Sequence, residues 1–586
     1  MADNILVAVA WPYANGPLHV GHVAGTLLSA DIFARYHRLR GNHVLMVSGS
    51  DCHGTPITLQ ANREGVAPEE VIRRYHASFI ETIRSFGISF DLFTQTYTPN
   101  HYTCTRAFFL KLLANGYLRR ESALASYSES LRRFLPDRFV EGICPNCGYT
   151  KARGDQCDNC GTLHDPSQLR HPHSTLDAAP VTFRQTEHFV LALDKLEPKL
   201  REWLNSRDRS YWRTNTFDFT SNWLREGLHG RSITRDLEWG VPVPVKEEDF
   251  KDKRIYVWFD AVIGYYSAAL EWAERIGAPE RWRDWWQNPD ARHYYFIGKD
   301  NIPFHTIIWP AMLIGYGGLT LPHDVPANEF YNLEGEKMST SRGWALWAQD
   351  LQDRFRPDAL RYYLAASAPE GRDTSWYWSE FIRRNNDELV ATWGNLVHRV
   401  INLAHQHFGS VPQPGDFSEA DRTILEAGVA AFSRVGGLLD SVQVKAALQE
   451  AFGLARRTNQ YISEQEPWKL VKSNPLRART VIYTGLQIID HLKTLLCPFL
   501  PFSSQRVHEL LGYAGTVAPL PVVEEANDPE GCNRTVLTGN YGEPSCWTPG
   551  AIPVGQTICA PELLFEKLEF EKTDEATEVS KIRRHG

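Results

Sequence analysis

Apolar positions along the chain change their period several times, and those changes divide it. Ile5 to Ala10 is a continuous apolar run of the kind a strand buried on both faces needs, and 43–48 is a second. Segments with apolar residues at three- and four-residue spacing, 23–39, 68–86 and 102–113, alternate with these runs. Such alternation predicts an α/β fold built on a doubly wound parallel sheet. From 116 to about 233 the pattern breaks into turns, paired cysteines and short mixed strands, which reads as an inserted module. Strand-like runs at 255–259 and 293–297 and a helical segment at 303–315 then resume it. Residues 358–366 predict a short helical stem, and long helical periods such as 395–403, 430–439 and 481–495 predict an α-helical bundle. Beyond 512 the chain is rich in Pro, Gly and Asn with weak periodicity, and its last residues read as a charged tail with little order. The divisions expected are therefore 1–115 and 235–345 as two halves of one sheet domain, 116–234 as the insertion, 346–378 as a stem, 379–512 as the bundle and 513–586 as an extension.

Length and composition sharpen this picture in three places. A chain of 586 residues is too long for one core. A net charge of −8 excludes a protein that coats nucleic acid through bulk charge, while leaving room for an RNA met by a local basic surface. No apolar run approaches the ~20 residues that span a bilayer, and no basic segment precedes an export-length apolar stretch, so a cytoplasmic location without a membrane partner is expected.

Ten cysteines are sparse for this length, and four fall in one pattern: Cys144-x2-Cys147, nine residues, then Cys157-x2-Cys160. Two CxxC turns present four thiolates to one ion, so the pattern predicts a single structural zinc with no open coordination position. His164, His171 and His173 lie nearby and read as loop histidines.

Three further stretches carry candidate chemistry. Trp11 to His22 follows the first strand and precedes the first helix, a layout whose helical N–H groups and dipole favour phosphate. His19 and His22, three apart, can face one ligand, and Gly21 between them removes a side chain where a base could approach; alone, two such histidines are coincidence as often as not. Lys337-Met338-Ser339-Thr340-Ser341-Arg342-Gly343 suits a mobile clamp on polyphosphate, though an isolated heptapeptide of this kind is more often a solvated loop. Asp51, in Ser48-Gly49-Ser50-Asp51-Cys52-His53-Gly54, ends a buried strand where open α/β sheets bind ligands; the alternative is a cap on the next helix. Composition alone reads Tyr256 to Tyr265 as a buried strand.

The pairing of HVGH at 19–22 with KMSTS at 337–341 resembles class I aminoacyl-tRNA synthetases. AWPYANGPLHVGH, SGSDCHGTPI, YVWFDAVIGYY, FIGKDN and EPW are similar to the methionyl-tRNA synthetase family within them, over residues 4 to 510. The resemblance implies a Rossmann-type catalytic domain with an inserted zinc knuckle, followed by a helical anticodon-binding domain. It implies a ligase that activates L-methionine with Mg2+-bound ATP and passes the methionyl group to initiator and elongator tRNA(Met). It further implies that His19, His22, Lys337 and Arg235 serve catalysis, and that Asn15, Gly21, Lys299, Asp300, Ser339, Thr340 and Arg342 serve ATP. Trp11, Tyr13, Asp51, Trp258, Ala261, Tyr265 and His305 would hold methionine, with Asp51 on its ammonium. Asn395, Arg399 and Trp468 would read the anticodon, which suits their chemistry because unpaired bases are stacked on aromatic rings and bonded at their edges. Thr340 departs from the second lysine of most relatives, so Lys337 and Arg342 are expected to share the clamp.

The nearest rival, a synthetase for Ile, Leu or Val, carries an editing insertion larger than 116–233 allows. A tRNA-binding protein without catalysis is the other, with Thr340 its only hint. No added oligonucleotide-binding barrel follows the bundle in the sequence, and a monomer is expected.

Overall fold

The computed structural model describes residues 2–136, 139–154, 157, 159–160, 164–206, 208–338, 343–527, 533–542 and 546–569. At its centre five parallel strands lie in the order Ala327–Asn328, Arg292–Gly298, Asn4–Val9, His43–Ser50, Leu92–Gln95. Ile5 faces Val44 on one side and Arg292 on the other, so the strand order reverses at Asn4–Val9. The crevice beyond its carboxyl end is the topological switch point, where such sheets take ligands.

Side-chain alternation splits this strand between two cores. Ile5, Val7 and Val9 join the helix Leu28–Leu39 and the bundle, whereas Leu6 and Ala8 join Phe108, Ile263 and Trp309 on the opposite face. Both faces are dry, which is why the strands read as unbroken apolar runs.

The insertion is a long antiparallel ribbon, Leu118–Ser128 against Val181–Leu191, with a small three-stranded sheet near its tip formed by Val140–Ile143, Ala152–Arg153 and Arg170–Ser174. Two helices, Leu193–Asn205 and Thr214–Glu226, lead back towards the main sheet. The bundle is formed by Asn395–Phe408, Glu419–Asp440, Val444–Gln465, Pro467–Ser473, Pro475–Leu496 and Pro501–Leu510. Prolines open three of these helices, where a missing N–H costs nothing. Arg361, fully buried on the stem helix Pro357–Ala366, pins the parts together: it reaches Asp31 at 2.7 Å, Phe86 O at 2.9 Å and Phe499 O at 2.8 Å.

Two elements differ from the sequence reading. The run expected as a strand from 255 to 259 is instead the start of a 19-residue helix, Val257–Arg275. Its apolar residues continue without alternation as far as Ala273, and that length, not period, separates a buried helix from a buried strand. The extension beyond 512 also contributes regular structure: Asn533–Thr538 pairs antiparallel with Leu92–Gln95, and Val522–Asn527 pairs outside it, so a hairpin completes a seven-stranded sheet; the expected charged tail, 570–586, lies outside the described residues. Arg534 secures it through Glu271 at 2.6 Å and Thr94 at 2.8 Å. No described helix is long and apolar enough to cross a membrane.

Candidate active site

Strand Asn4–Val9 delivers the chain directly into the first candidate stretch. Helical structure begins at Val20 and runs to Leu39, with a π-turn at Val23–Leu27. His19 caps it: its Nδ1 accepts from Gly21 N–H at 3.1 Å, and His22 Nδ1 accepts from His19 N–H at 3.2 Å. Both rings must then carry their hydrogen on Nε2, which leaves each a neutral donor for an incoming oxygen. The rings lie 3.9 Å apart. Burial lowers the His19 imidazole well below its ordinary range, helped by His22, and lowers His22 to about 4. A Cβ on Gly21 would lie 2.8 Å from the His19 ring and 2.8 Å from Met338 Cε, so the glycine makes room for this cap and for the start of the 337–343 loop.

The segment that follows this loop, 346–348, is stitched to the same place. Val20 N–H donates to Leu346 O and Ala348 N–H to Leu18 O, both at 2.9 Å, and His19 bridges Trp347. Lys337 Nζ lies 4.0 Å from the centre of the Phe330 ring, as does Lys299 Nζ, which also pairs with Glu329 at 2.7 Å and Asp373 at 2.8 Å. Asp300 is exposed beside it in a short helical turn. Ser339, Thr340 and Arg342 lie outside the described residues. Asn15 sits in the turn after Tyr13, its N–H on Tyr13 O at 2.9 Å.

Across the crevice, Asp51 and Tyr13 form a parallel bridge in which Asp51 N–H donates to Pro12 O at 2.8 Å and Ala14 N–H to Asp51 O at 3.0 Å. The Asp51 carboxylate is 3% exposed. Among the described residues it forms no ion pair, and its side chain accepts only from His53 N–H, at 3.2 Å. The following helix, Thr55–Glu64, is preceded by Gly54 with no side-chain cap, so Asp51 is not a helix cap. Burial pushes its carboxyl well above the usual range, and the charge of Asp260 adds to this. A carboxylate so placed is a seat for a cation.

The 257–275 helix supplies the wall beside it. Trp258, Ala261 and Tyr265, three and four residues apart, share one face. Tyr13 meets Trp258 edge-on at 6.3 Å, and Trp258 stacks on Phe304 at 4.1 Å. Tyr265 donates to His305 Nε2 at 2.8 Å while His305 Nδ1 donates to Asn301 O at 2.9 Å, which fixes a neutral imidazole that burial holds near 4. Trp11 fills the slot between Gly49 and Gly264; a Cβ at Gly264 would lie 2.7 Å from its indole. These side chains bring aromatic faces together, chemistry suited to an unbranched, polarisable chain. Arg235 folds onto Ser232 O and Thr234 O at 3.1 and 2.9 Å, over the Tyr256 ring, and lines a neighbouring cavity of about 680 Å³ with Trp258 and Phe304. A larger cavity of about 1120 Å³, between the insertion and Thr58–Pro68, is lined by none of the residues singled out from the sequence.

Behind the pocket lies a cluster the sequence reading missed. Asp260, buried on the same helix, lies 2.6 Å from His53 Nδ1 and 2.7 Å from His101 Nε2. One signal was available: a carboxylate within an otherwise apolar run needs buried partners.

In the insertion, the four cysteine sulfurs lie within 4.8 Å of one another, with 3.8 Å between Cys144 and Cys160 and 3.6 Å between Cys147 and Cys157. A tetrahedron with ~2.3 Å Zn–S bonds has edges of ~3.8 Å, so the spacing fits zinc. Cys147 N–H points at Cys144 Sγ, 3.5 Å away, and Gly148 turns the chain at φ 76°. Gly161 lies outside the described residues. In the bundle, the Arg399 guanidinium lies 5.1 Å over the Trp468 ring, which is 39% exposed, and Asn395 is exposed one turn earlier.

Comparison with known proteins agrees with this geometry. The family model described as tRNA synthetases class I (M) matches residues 5–401, and the one described as the anticodon binding domain of methionyl tRNA ligase matches 411–527. A methionine–tRNA ligase of Roseiflexus sp. (strain RS-1) is 67% identical over 97% of each chain, and one of Chloroflexus aggregans (strain MD-66 / DSM 9485) is 51% identical over 98% of each. The solved Mycobacterium tuberculosis methionyl-tRNA synthetase in complex with methionyl-adenylate has a TM-score of 0.75 at 25% identity, covering 96% of this chain and all of that one. Identity of 67% sustained from end to end leaves one assignment: the chain belongs to the methionyl-tRNA synthetases, class I aminoacyl-tRNA synthetases with methionine–tRNA ligase activity.

Proposed function

We propose that the switch-point crevice is where methionine and ATP meet. The observation that carries this is that one stretch, 13–22, both joins 346–348 and bridges Asp51, whose buried carboxylate pairs with no cation among the described residues. Asp51 takes the methionine ammonium, and Tyr13, Trp258, Ala261, Tyr265, His305 and Trp11 enclose the thioether chain. The methionine carboxylate attacks the α-phosphate of ATP, giving methionyl-adenylate and pyrophosphate; the terminal ribose hydroxyl of tRNA(Met) then attacks the methionyl carbonyl, forming the ester as the bond to phosphate breaks and AMP leaves. No enzyme nucleophile is needed; positioning and charge stabilisation do the catalysis. His19 and His22 donate through Nε2 to phosphate oxygens, while Gly21 and Asn15 shape the cradle. Lys337 and Arg342 flank the departing pyrophosphate with Ser339 and Thr340, and Mg2+ accompanies the phosphates. Arg235 and Lys299 turn towards substrate once it binds, Lys299 leaving its two carboxylates, and Asp300 takes the ribose. Pyrophosphate exchange into ATP, run with each of the twenty amino acids, tests the reading: exchange with methionine alone is expected, and exchange driven by another amino acid, or none, overturns it.

The cysteine cluster holds one zinc and shapes the insertion. Cys147→Ser is expected to lower zinc content below one per chain and to lower the thermal midpoint, since a closed thiolate site contributes folding energy directly. Full zinc content with unchanged melting would remove that role.

Asn395, Arg399 and Trp468 meet the anticodon of tRNA(Met), initiator and elongator, the protein acting as a monomer in the cytoplasm. Trp468→Ala should slow aminoacylation about tenfold, because one stacked base is worth ~1–3 kcal/mol. Pyrophosphate exchange without tRNA should be untouched; parallel loss in both assays would mean only that the bundle has unfolded.

A further inference from the structure

Two neighbouring residues of the strand Asn533–Thr538 reach past the edge of the sheet towards the walls of the amino-acid pocket. The Arg534 guanidinium spans a strand and a helix: one nitrogen donates to Thr94 Oγ1 at 2.8 Å and another to Glu271 Oε1 at 2.6 Å. Thr94 closes the triangle by donating to Glu271 Oε2 at 2.9 Å. The Arg534 and Glu271 side chains are 8% and 7% exposed, so water and salt screen this pair little. The carbonyl of the next residue, Thr535, accepts from His76 Nε2 at 2.7 Å. The other nitrogen of that buried ring, on the helix Pro68–Ser85, lies 2.7 Å from Ser50 Oγ, and Ser50 directly precedes Asp51. Backbone pairing with Leu92–Gln95 falls at Leu537 and Thr538, so at 534 and 535 the attachment to the sheet runs through side chains. The outer strand holds both residues in register, with Ala526 opposite Arg534 and Glu525 opposite Thr535.

These ties cross the gap that Trp11 fills. A Cβ at Gly49 would run into both the Trp11 ring and Thr94 O, and one at Gly264 would run into the other side of the indole. Gly49 pairs with Thr94 across the strands. Gly264 and Glu271 are seven residues apart on the 257–275 helix and so share a face, two turns from each other. The Arg534 bridge from Thr94 to Glu271 therefore joins the same strand to the same helix that close on Trp11.

We propose that the hairpin is part of the amino-acid site: Arg534 fixes the width of the gap that holds Trp11, His76 fixes the strand end that carries Asp51, and together they set the length of side chain the pocket accepts. Arg534 and His76 act through Trp11 and Ser50 and are positioning residues. This rests on the reading of the pocket given above. Side-chain length is the property to probe, because one extra methylene in a close-fitting apolar pocket changes selectivity by about 10–200-fold.

Pyrophosphate exchange with methionine, and with ethionine, which is one methylene longer, tests the role in the full chain. Arg534→Met keeps an unbranched side chain and removes the fork. It is expected to raise KM for methionine about tenfold, to reduce the preference for methionine over ethionine about tenfold, and to leave KM for ATP unchanged. That variant also strands the Glu271 carboxylate and lowers the thermal midpoint, so Thr94→Val supplies a milder cut: it is nearly isosteric, keeps the Arg534–Glu271 pair and removes the hydroxyl that joins them. Thr94→Val should move methionine KM and the preference in the same direction several-fold, and Thr94→Ser, which restores the hydroxyl, should not. His76→Phe, which keeps a ring stacked on Phe93 but loses both hydrogen bonds, should likewise raise KM for methionine and not for ATP. Wild-type KM and wild-type preference in Thr94→Val overturn the proposal, even if Arg534→Met fails to fold. An equal rise in KM for both substrates in Arg534→Met overturns it too, since that marks general loosening of the domain. An Asp51→Asn enzyme that activates methionine normally overturns instead the reading of the pocket, and this role falls with it.

Discussion

Asp51→Asn is expected to lower kcat/KM for methionine by about 30-fold or more while ATP binding stays near normal. The substitution keeps shape and removes charge, so an ammonium taken out of water would meet an amide in place of a carboxylate. Losing one member of a buried charged pair costs ~2–5 kcal/mol, and each ~1.4 kcal/mol is tenfold. The size of the effect follows from burial: Asp51 is 3% exposed, so water cannot substitute for it. Isothermal titration with methionine, and separately with a non-hydrolysable ATP analogue, measures the two bindings. Wild-type methionine affinity in the variant would mean that the crevice binds its amino acid some other way.

His22→Ala should reduce the rate of methionyl-adenylate formation about 10²–10³-fold, the usual loss when one donor to developing oxyanion charge is removed. Methionine affinity should hardly change, since the ring lies at the helix start and not among the aromatic residues of the pocket. Because the ring is neutral and His22 titrates near 4, the wild-type rate should also lack any imidazole inflection between about pH 6 and 8. The sign is definite: the donor is already in place at neutral pH, and acid would add a proton to Nδ1 and break the bond from His19 N–H. Stopped-flow measurement of adenylate formation across that range tests both points. A rate that climbs steeply as pH falls through 6 would show that the imidazolium, not the imidazole, meets the phosphate.

Much of this was legible in the chain because some physics is local. Unbroken apolar runs marked the buried strands, two CxxC turns marked a four-sulfur site, and a strand–turn–helix with two histidines marked the switch point. The sequence pattern alone did not require that the segment around 337–348 meet 19–22; the family resemblance supplied that link, and the described residues 346–348 do pair with 18–20. Two features stayed hidden for definite reasons. The hairpin after 512 is an edge, and edges carry polar and charged residues that blur alternation: in Val522–Asn527 two glutamates follow valines that are 53% and 38% exposed. The His53–Asp260–His101 cluster joins three distant segments, and no local pattern records which buried histidine will meet which buried acid.

The hairpin also sets the order in which the sheet can be finished. Leu92–Gln95 emerges from the ribosome early, yet the strand that covers its outer edge, Asn533–Thr538, is made more than four hundred residues later. Throughout synthesis of the insertion, the clamp and the bundle, the growing chain presents a buried-type strand with an open row of amides, a template for pairing with a neighbouring nascent chain. Closing that edge joins residues more than four hundred positions apart, as Arg534 and Thr94 do, and such non-local pairing is slow. The catalytic sheet can therefore be sealed only after the insertion, the clamp and the bundle have been made, and until then its edge is open to such pairing.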